Sequence, residues 1–191
     1  MIGLVIAVLV GLLVGFARRG SLANLSKAKL RAVPLVFIGV LLQVGSTLAE
    51  RQNLSWLPLA LVLVSFACVF AFAALNWHLS GMTLVAIGAL MNFVVISVNG
   101  GMPVSLDALA EAGLGNPFTG NGVTKGAHHA LTASSRLTFL ADKIPLKIGS
   151  NVVSIGDIVI WAGLLVIVQQ LMVGRPGRRR RGAAERELSA R

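Results

Sequence analysis

The chain has 191 residues, 55% hydrophobic and only 13% charged, with a mean hydropathy of +0.82 and a formal net charge of +10. A soluble domain carries about 25% charged residues, so the composition excludes an ordinary soluble fold and points to an integral membrane protein. The basic residues stand in blocks beside apolar runs instead of covering a polar surface, which argues against a nucleic-acid partner and for charges that orient a chain in a bilayer.

Ile2 to Ala17 is the first apolar run, closed by Arg18 and Arg19. No basic residue precedes it, so it reads as a retained helix with its N-terminus outside, not as a signal peptide. Gly3, Ala7, Gly11 and Gly15 fall on one helical stripe, and small residues let a neighbouring helix approach closely. Arg18 to Arg31 holds five basic and no acidic residues and reads as a cytoplasmic loop. Residues 32–49 form the second span, with Pro34 near its start, where a missing N–H costs little. Residues 57–75 and 81–98 form the third and fourth, joined by a tight turn at Asn76 to Ser80. Cys68, the single cysteine, lies within the third span, where neither a disulfide framework nor a CxxC site is possible in one chain; it is expected to pack.

Residues 99–151 form a long outer segment, 152–173 the fifth span, and 174–191 a basic cytoplasmic tail expected to be disordered. Five basic residues in the first loop and seven in the tail oppose five on the other side, which predicts five spans with the N-terminus out and the C-terminus in. The expected partners are the bilayer itself, anionic headgroups at the arginine run Arg178 to Arg181, and a membrane-protein partner. The predicted fold is therefore an all-α integral membrane protein of five transmembrane helices.

In the outer segment, Asn99-Gly100-Gly101-Met102-Pro103 supplies a sharp, then extended, exit from the fourth span. Ser105 as N-cap and Gly113 as terminator frame a short helix at 106–112, expected on the membrane surface with Leu106, Leu109 and Ala110 inward. Residues 113–126 read as a loop, and 127–141, with His128 and His129, as a second amphipathic helix.

Inside the spans, Gln43, Asn92 and Asp157 each lie five or six residues from an outer end, roughly 8 to 9 Å deep at 1.5 Å per residue. Polar side chains in spans face the bundle interior, so these three predict a polar pocket in the outer half of the bundle. A simpler role for Asp157 is to hold the turn around Ser154 and Gly156. With the outer-segment groups, the candidate binding residues are Gln43, Asn92, Asn99, His128, His129, Asp142 and Asp157. No metal site is expected, because neither HxxxH nor HExxH occurs; no cofactor loop and no diagnostic nucleophile turn is present.

Four pieces stand in order: Asn99-Gly100-Gly101-Met102-Pro103, His129-Ala130-Leu131 or His128-His129-Ala130-Leu131, Leu140-Ala141-Asp142-Lys143-Ile144-Pro145 and Ser154-Ile155-Gly156-Asp157. In this order and within a five-span frame, the chain resembles a family of small multi-pass bacterial membrane proteins classed as a domain of unknown function. The resemblance implies a cell-membrane location and no particular reaction. Two classes stay open: a non-catalytic component binding a lipid, partner or small solute, which is preferred, and a membrane enzyme acting on a lipid or envelope precursor at the outer leaflet. The second requires a histidine, Asp142 and Asp157 to converge.

Overall fold

The computed structural model describes residues 2–52, 54, 56–118, 124–125, 127–149 and 151–174; the basic tail from Arg175 lies outside them. Seven α-helices are present among the described residues: α1 (Ile2–Ala17), α2 (Leu22–Leu25), α3 (Pro34–Arg51), α4 (Leu57–Leu75), α5 (Ser80–Asn99), α6 (Leu106–Glu111) and α7 (Ile155–Val173). Three of them, α4, α5 and α7, are long and apolar enough to cross a membrane; α1 and α3 are shorter apolar helices.

The long helices pack side by side in the order α1, α7, α5, α4, α3. Small residues set how closely they approach. A Cβ on Gly81 or Gly88 of α5 would strike the carbonyl of Gly163 or Gly156 on α7, so the two helices run antiparallel with backbones almost touching. The stripe of α1 faces α7 in the parallel sense, Gly3 against Trp161, Gly11 against Val168 and Gly15 against Met172. On the other flank, Gly39 of α3 faces Ser65 and Cys68 of α4, and the Ser46 hydroxyl donates to the Pro58 carbonyl at 2.9 Å. The outward faces remain apolar, with Leu9, Leu13, Phe37, Leu41 and Val64 all exposed.

At one end, α2 and its flanks close onto α7. Ser21 N–H and Asn24 Nδ2 both donate to the Met172 carbonyl, at 3.0 and 2.8 Å, satisfying an acceptor that a helix end leaves orphaned. In the adjacent α4–α5 turn, Asn76 is completely buried; its amide donates to Arg31 and Phe72 carbonyls and its Oδ1 accepts from Arg31 N–H, at 2.8 to 2.9 Å.

The opposite end carries a folded cap that departs from the all-α expectation. Strands β1 (Met102–Val104), β2 (Thr124–Lys125) and β3 (His128–Ala130) form a sheet in the order β1-β3-β2, with β1 parallel and β2 antiparallel to β3. β4 (Ile144–Leu146) and β5 (Asn151–Val153) form a hairpin leading directly into α7. Residues 127–141 are thus not a helix but a strand, a turn and a 3-10 turn at Thr138–Leu140. The Thr-Ala-Ser-Ser stretch explains the break: Ser135 Oγ accepts from Thr132 N–H at 3.0 Å, and such local bonds compete with helix. Leu137 then turns left-handed at φ 53°.

Helix α6 forms as expected, with Ser105 Oγ capping Ala108 N–H, but it packs on the strands and presents a different face. Ala108, Leu109 and Ala112 bury against Val104 and Val152, while Leu106 is exposed. The sharp exit from α5 uses Gly100 at φ 68°, a conformation that favours glycine at a helix end.

Candidate functional site

The junction between cap and bundle is built on the first turn of α7. Ser154 is its N-cap and Asp157 the third helical residue, in a reciprocal capping box: Ser154 Oγ accepts from Asp157 N–H at 3.1 Å and Asp157 Oδ2 from Ser154 N–H at 3.0 Å. Because β5 occupies residues 151–153, α7 starts at Ile155, and Asp157 sits in its first turn instead of five residues inside a span.

Asn92 of α5 completes the unit. It is buried, donates from Nδ2 to Asp157 Oδ1 at 2.8 Å, and its Oδ1 lies 3.0 Å from the Ser154 hydroxyl. The amide occupies the space that a side chain on Gly156 would need. Asp157 therefore ties the first turn of α7 to α5 at the point where the cap rejoins the bundle.

Gln43 does not join this unit. Its Nε2 donates to Ser65 Oγ on α4 at 3.3 Å, so the predicted three-residue layer divides into an Asn92–Asp157 pair and a separate α3–α4 contact. Asn99 also serves elsewhere: its side chain accepts from Arg136 N–H at 2.8 Å and donates to the Arg136 carbonyl at 2.9 Å, clasping the returning loop to the end of α5.

Strand geometry separates the histidines, because successive side chains point to opposite faces. His129 faces a shallow cavity with Asn99, Thr132, Ser135 and Arg136. His128 faces a second cavity of about 220 Å³ on the other side, shared with Asp142, Asn151, Glu50 and the apolar Val104, Leu109, Leu114, Pro117 and Phe118. Desolvation lowers the proton affinity of both rings. For His128 the Asp157 charge opposes this and His129 adds to it. His128 keeps exposed surface where it lines the cavity.

Asp142 is held by backbone on both sides. Its N–H donates to the Pro103 carbonyl and its carbonyl accepts from Ser105 N–H, each at 2.9 Å, placing it beside β1. The residue is 8% exposed, and among the described residues no group hydrogen-bonds its Oδ1. Burial, with the Asp157 charge adding, holds its carboxyl well above the usual carboxylate range. Asp157 thus acts on both His128 and Asp142, and these groups share one electrostatic neighbourhood. Among the described residues no group of three or more His, Cys, Asp or Glu is placed to hold a metal ion.

The other end of the bundle has a cavity of about 590 Å³, lined by Arg18, Lys27, Lys29 and His78 with Gln169 and Gln170. No carboxylate among the described residues lines it; Glu50, Asp107, Glu111, Asp142 and Asp157, the acidic residues among those described, all lie at the cap end or in the cap.

The profile of a family of unknown function, DUF5317, matches residues 27–169, from the loop before α3 almost to the end of α7. The chain belongs to this family. An uncharacterized protein of Thermotoga maritima is 37% identical over 119 residues, covering 60% of this chain and 66% of that relative, just under two thirds of its length. No solved structure matches the chain.

Sequence reasoning named Asp142, His128, Asn92 and Asp157, and Ser154 as part of the turn that Asp157 holds, but missed Glu50 and Asn151 as neighbours of Asp142 and the contact of Ser154 with Asn92. The Ser154-x-x-Asp157 spacing is a legible capping-box signal. Nothing local brings Glu50 to the cap, since that contact depends on the packing of α3.

Proposed function

We propose that this family member is a non-catalytic, five-span protein of the bacterial cell membrane whose cap binds a small polar solute in the cavity at Asp142. One observation carries the reading: Asp142, a residue that lines the cavity, keeps a carboxylate oxygen buried without a partner. Buried polar atoms are nearly always paired, and leaving one unpaired costs about 1 to 3 kcal/mol. A solute that donates to Oδ1 removes that penalty, so binding and the native geometry reinforce one another.

The five-span frame rests on packing. At 16 residues, α1 is about 24 Å long, short of the ~30 Å hydrocarbon core. It lies along α7 from Gly3 to Gly15, and α3 lies along α4, so both occupy the same slab as the three longer helices. Their exposed apolar faces are surface that lipid would cover. In this frame the cap lies outside, and the Arg18, Lys27 and Lys29 end, continued by the arginine tail, meets anionic headgroups inside.

The enzyme alternative keeps one supporting observation, the shared neighbourhood of His128, Asp142 and Asp157. Against it, Asp157 spends both carboxylate oxygens on Asn92 and Ser154. The test of the binding reading is access. In a Cys68→Ser background, Asn151→Cys should react from the outside with a small neutral methanethiosulfonate, and Asp142→Leu should block the reaction by filling the cavity. An inert Asn151→Cys site would overturn the reading.

A further inference from the structure

We infer that the cap cavity takes a small organic cation, a primary ammonium group with a short apolar body, with the ammonium seated on the Asp142 carboxylate. This deepens the solute-binding reading and rests on it.

The polar end of the cavity is rich in acceptors. Asp142 and Glu50 both line it, and Asp157 lies close enough for its charge to reach Asp142. No described lining residue is Lys or Arg, although the chain as a whole carries ten more positive than negative charges. An anionic ligand would meet the acidic Asp142 and the Asp157 charge that reaches it in a region of reduced dielectric, where like charges repel strongly. An ammonium instead offers donors to the unpartnered Oδ1 and forms a charge-assisted hydrogen bond, about twice as strong as a neutral one.

The other walls define the remainder of the ligand. Val104, Leu109, Leu114 and Phe118 are apolar, and an aromatic face next to a cation adds attraction. A volume of about 220 Å³ matches about seven waters at ~30 Å³ each. That space suits a short alkylammonium, whereas a bare inorganic ion would leave the apolar walls without contacts.

Binding also exchanges charge. When the cavity is empty, Asp142 retains its proton to higher pH than an ordinary carboxylate, because burial and Asp157 both disfavour ionisation. An ammonium requires the ionised form, so its arrival releases that proton. Among the described residues, the charged or titratable groups near Asp142 are Glu50 from the end of α3, His128 from β3 and Asp157 from α7. Burial disfavours the charged form of His128.

The experiment uses the full chain in proteoliposomes, in the Cys68→Ser, Asn151→Cys form. The rates of a cationic and an anionic methanethiosulfonate at position 151 are divided, and the ratio is normalised to that for free cysteine. The expected ratio favours the cation at least about tenfold and falls toward one in Asp142→Asn. Millimolar ethylammonium should slow labelling by the neutral reagent, more strongly as pH rises, while ethanol and potassium at equal concentration should not.

Protection by ethanol equal to that by ethylammonium overturns the cation inference and leaves the solute-binding reading standing. Equal protection by potassium overturns the organic body. A normalised ratio near one, or one unchanged in Asp142→Asn, removes Asp142 as the seat of the charge. Inertness of position 151 to every reagent overturns both readings.

Discussion

Asn76 and Asp142 are polar residues buried at opposite ends of the same bundle, and they differ in how their polar atoms are used. Asn76 has its amide and carbonyl groups fully engaged, tying the loop before α3 to the α4–α5 turn through both backbone groups of Arg31. Asp142 is tied by its backbone alone, and a side-chain oxygen is left over. The contrast separates two uses of burial. A saturated polar group fixes geometry; an unsaturated one, facing a cavity, is a place where something else can bind.

The two ends are linked by the α5–α7 contact, and breaking it should have the largest effect. Gly88→Val would drive a side chain into the Gly156 carbonyl, a neighbour that cannot rotate away. We expect a loss of about 4 kcal/mol or more, or failure to accumulate, with cap and basic end destabilised together in detergent unfolding. If only one end loosens, the ends are not coupled through these helices. Asn76→Ala should cost about 3 kcal/mol, since it strands the Arg31 N–H and carbonyl in a buried site.

Ser154→Ala removes one half of the capping box and a polar neighbour of Asn92. Its expected cost is about 1 to 2 kcal/mol. Asp142→Asn should behave differently, and pH exposes the difference. The raised affinity of Asp142 means that the folded chain holds a proton that the unfolded chain has lost above its ordinary value of ~3.9. Native stability from this group therefore falls as pH rises from that value. The midpoint of Asp142→Asn relative to the parent chain should climb with pH. The histidines give the opposite sign: their lowered affinities supply stability that is present above 6.5 and lost as pH falls below it. Asp142→Asn matching Asn76→Ala in cost, with no pH trend, would erase the distinction between the two residues.

What the sequence disclosed follows the range of the forces involved. Apolar runs locate helices without any tertiary information, so α1 and α4 match the expected 2–17 and 57–75, and Gly3, Gly11 and Gly15 were legible as a packing stripe. Strand β3 was not legible. Its three residues are strand because β1 pairs beside them, Met102 opposite His128 and Val104 opposite Ala130, a partner over twenty residues away. Local Ala and Leu content instead suggested helix. The same limit applies to the site: Asp142 and His128 could be named from the resemblance and the residue types, whereas their common cavity depends on the fold of the cap.

The smallest expected effect tests the basic end, where the contrast with the cap is one of sign. Lys27 and Lys29 are exposed on the rim of a cavity that no carboxylate among the described residues lines. In the proposed orientation their charge is met by lipid. Each lysine near an anionic surface is worth about 1 kcal/mol, or about a fivefold preference. Lys27→Ala should therefore lower the ratio of phosphatidylglycerol to phosphatidylcholine retained on the purified full chain by up to about fivefold, and salt should reduce the parent chain toward the variant. Substituting Arg178 to Arg181 separately distinguishes cavity from tail. If the tail variant loses all preference and Lys27→Ala none, the headgroups are held by the tail alone and the charge contrast between the ends has no counterpart in binding.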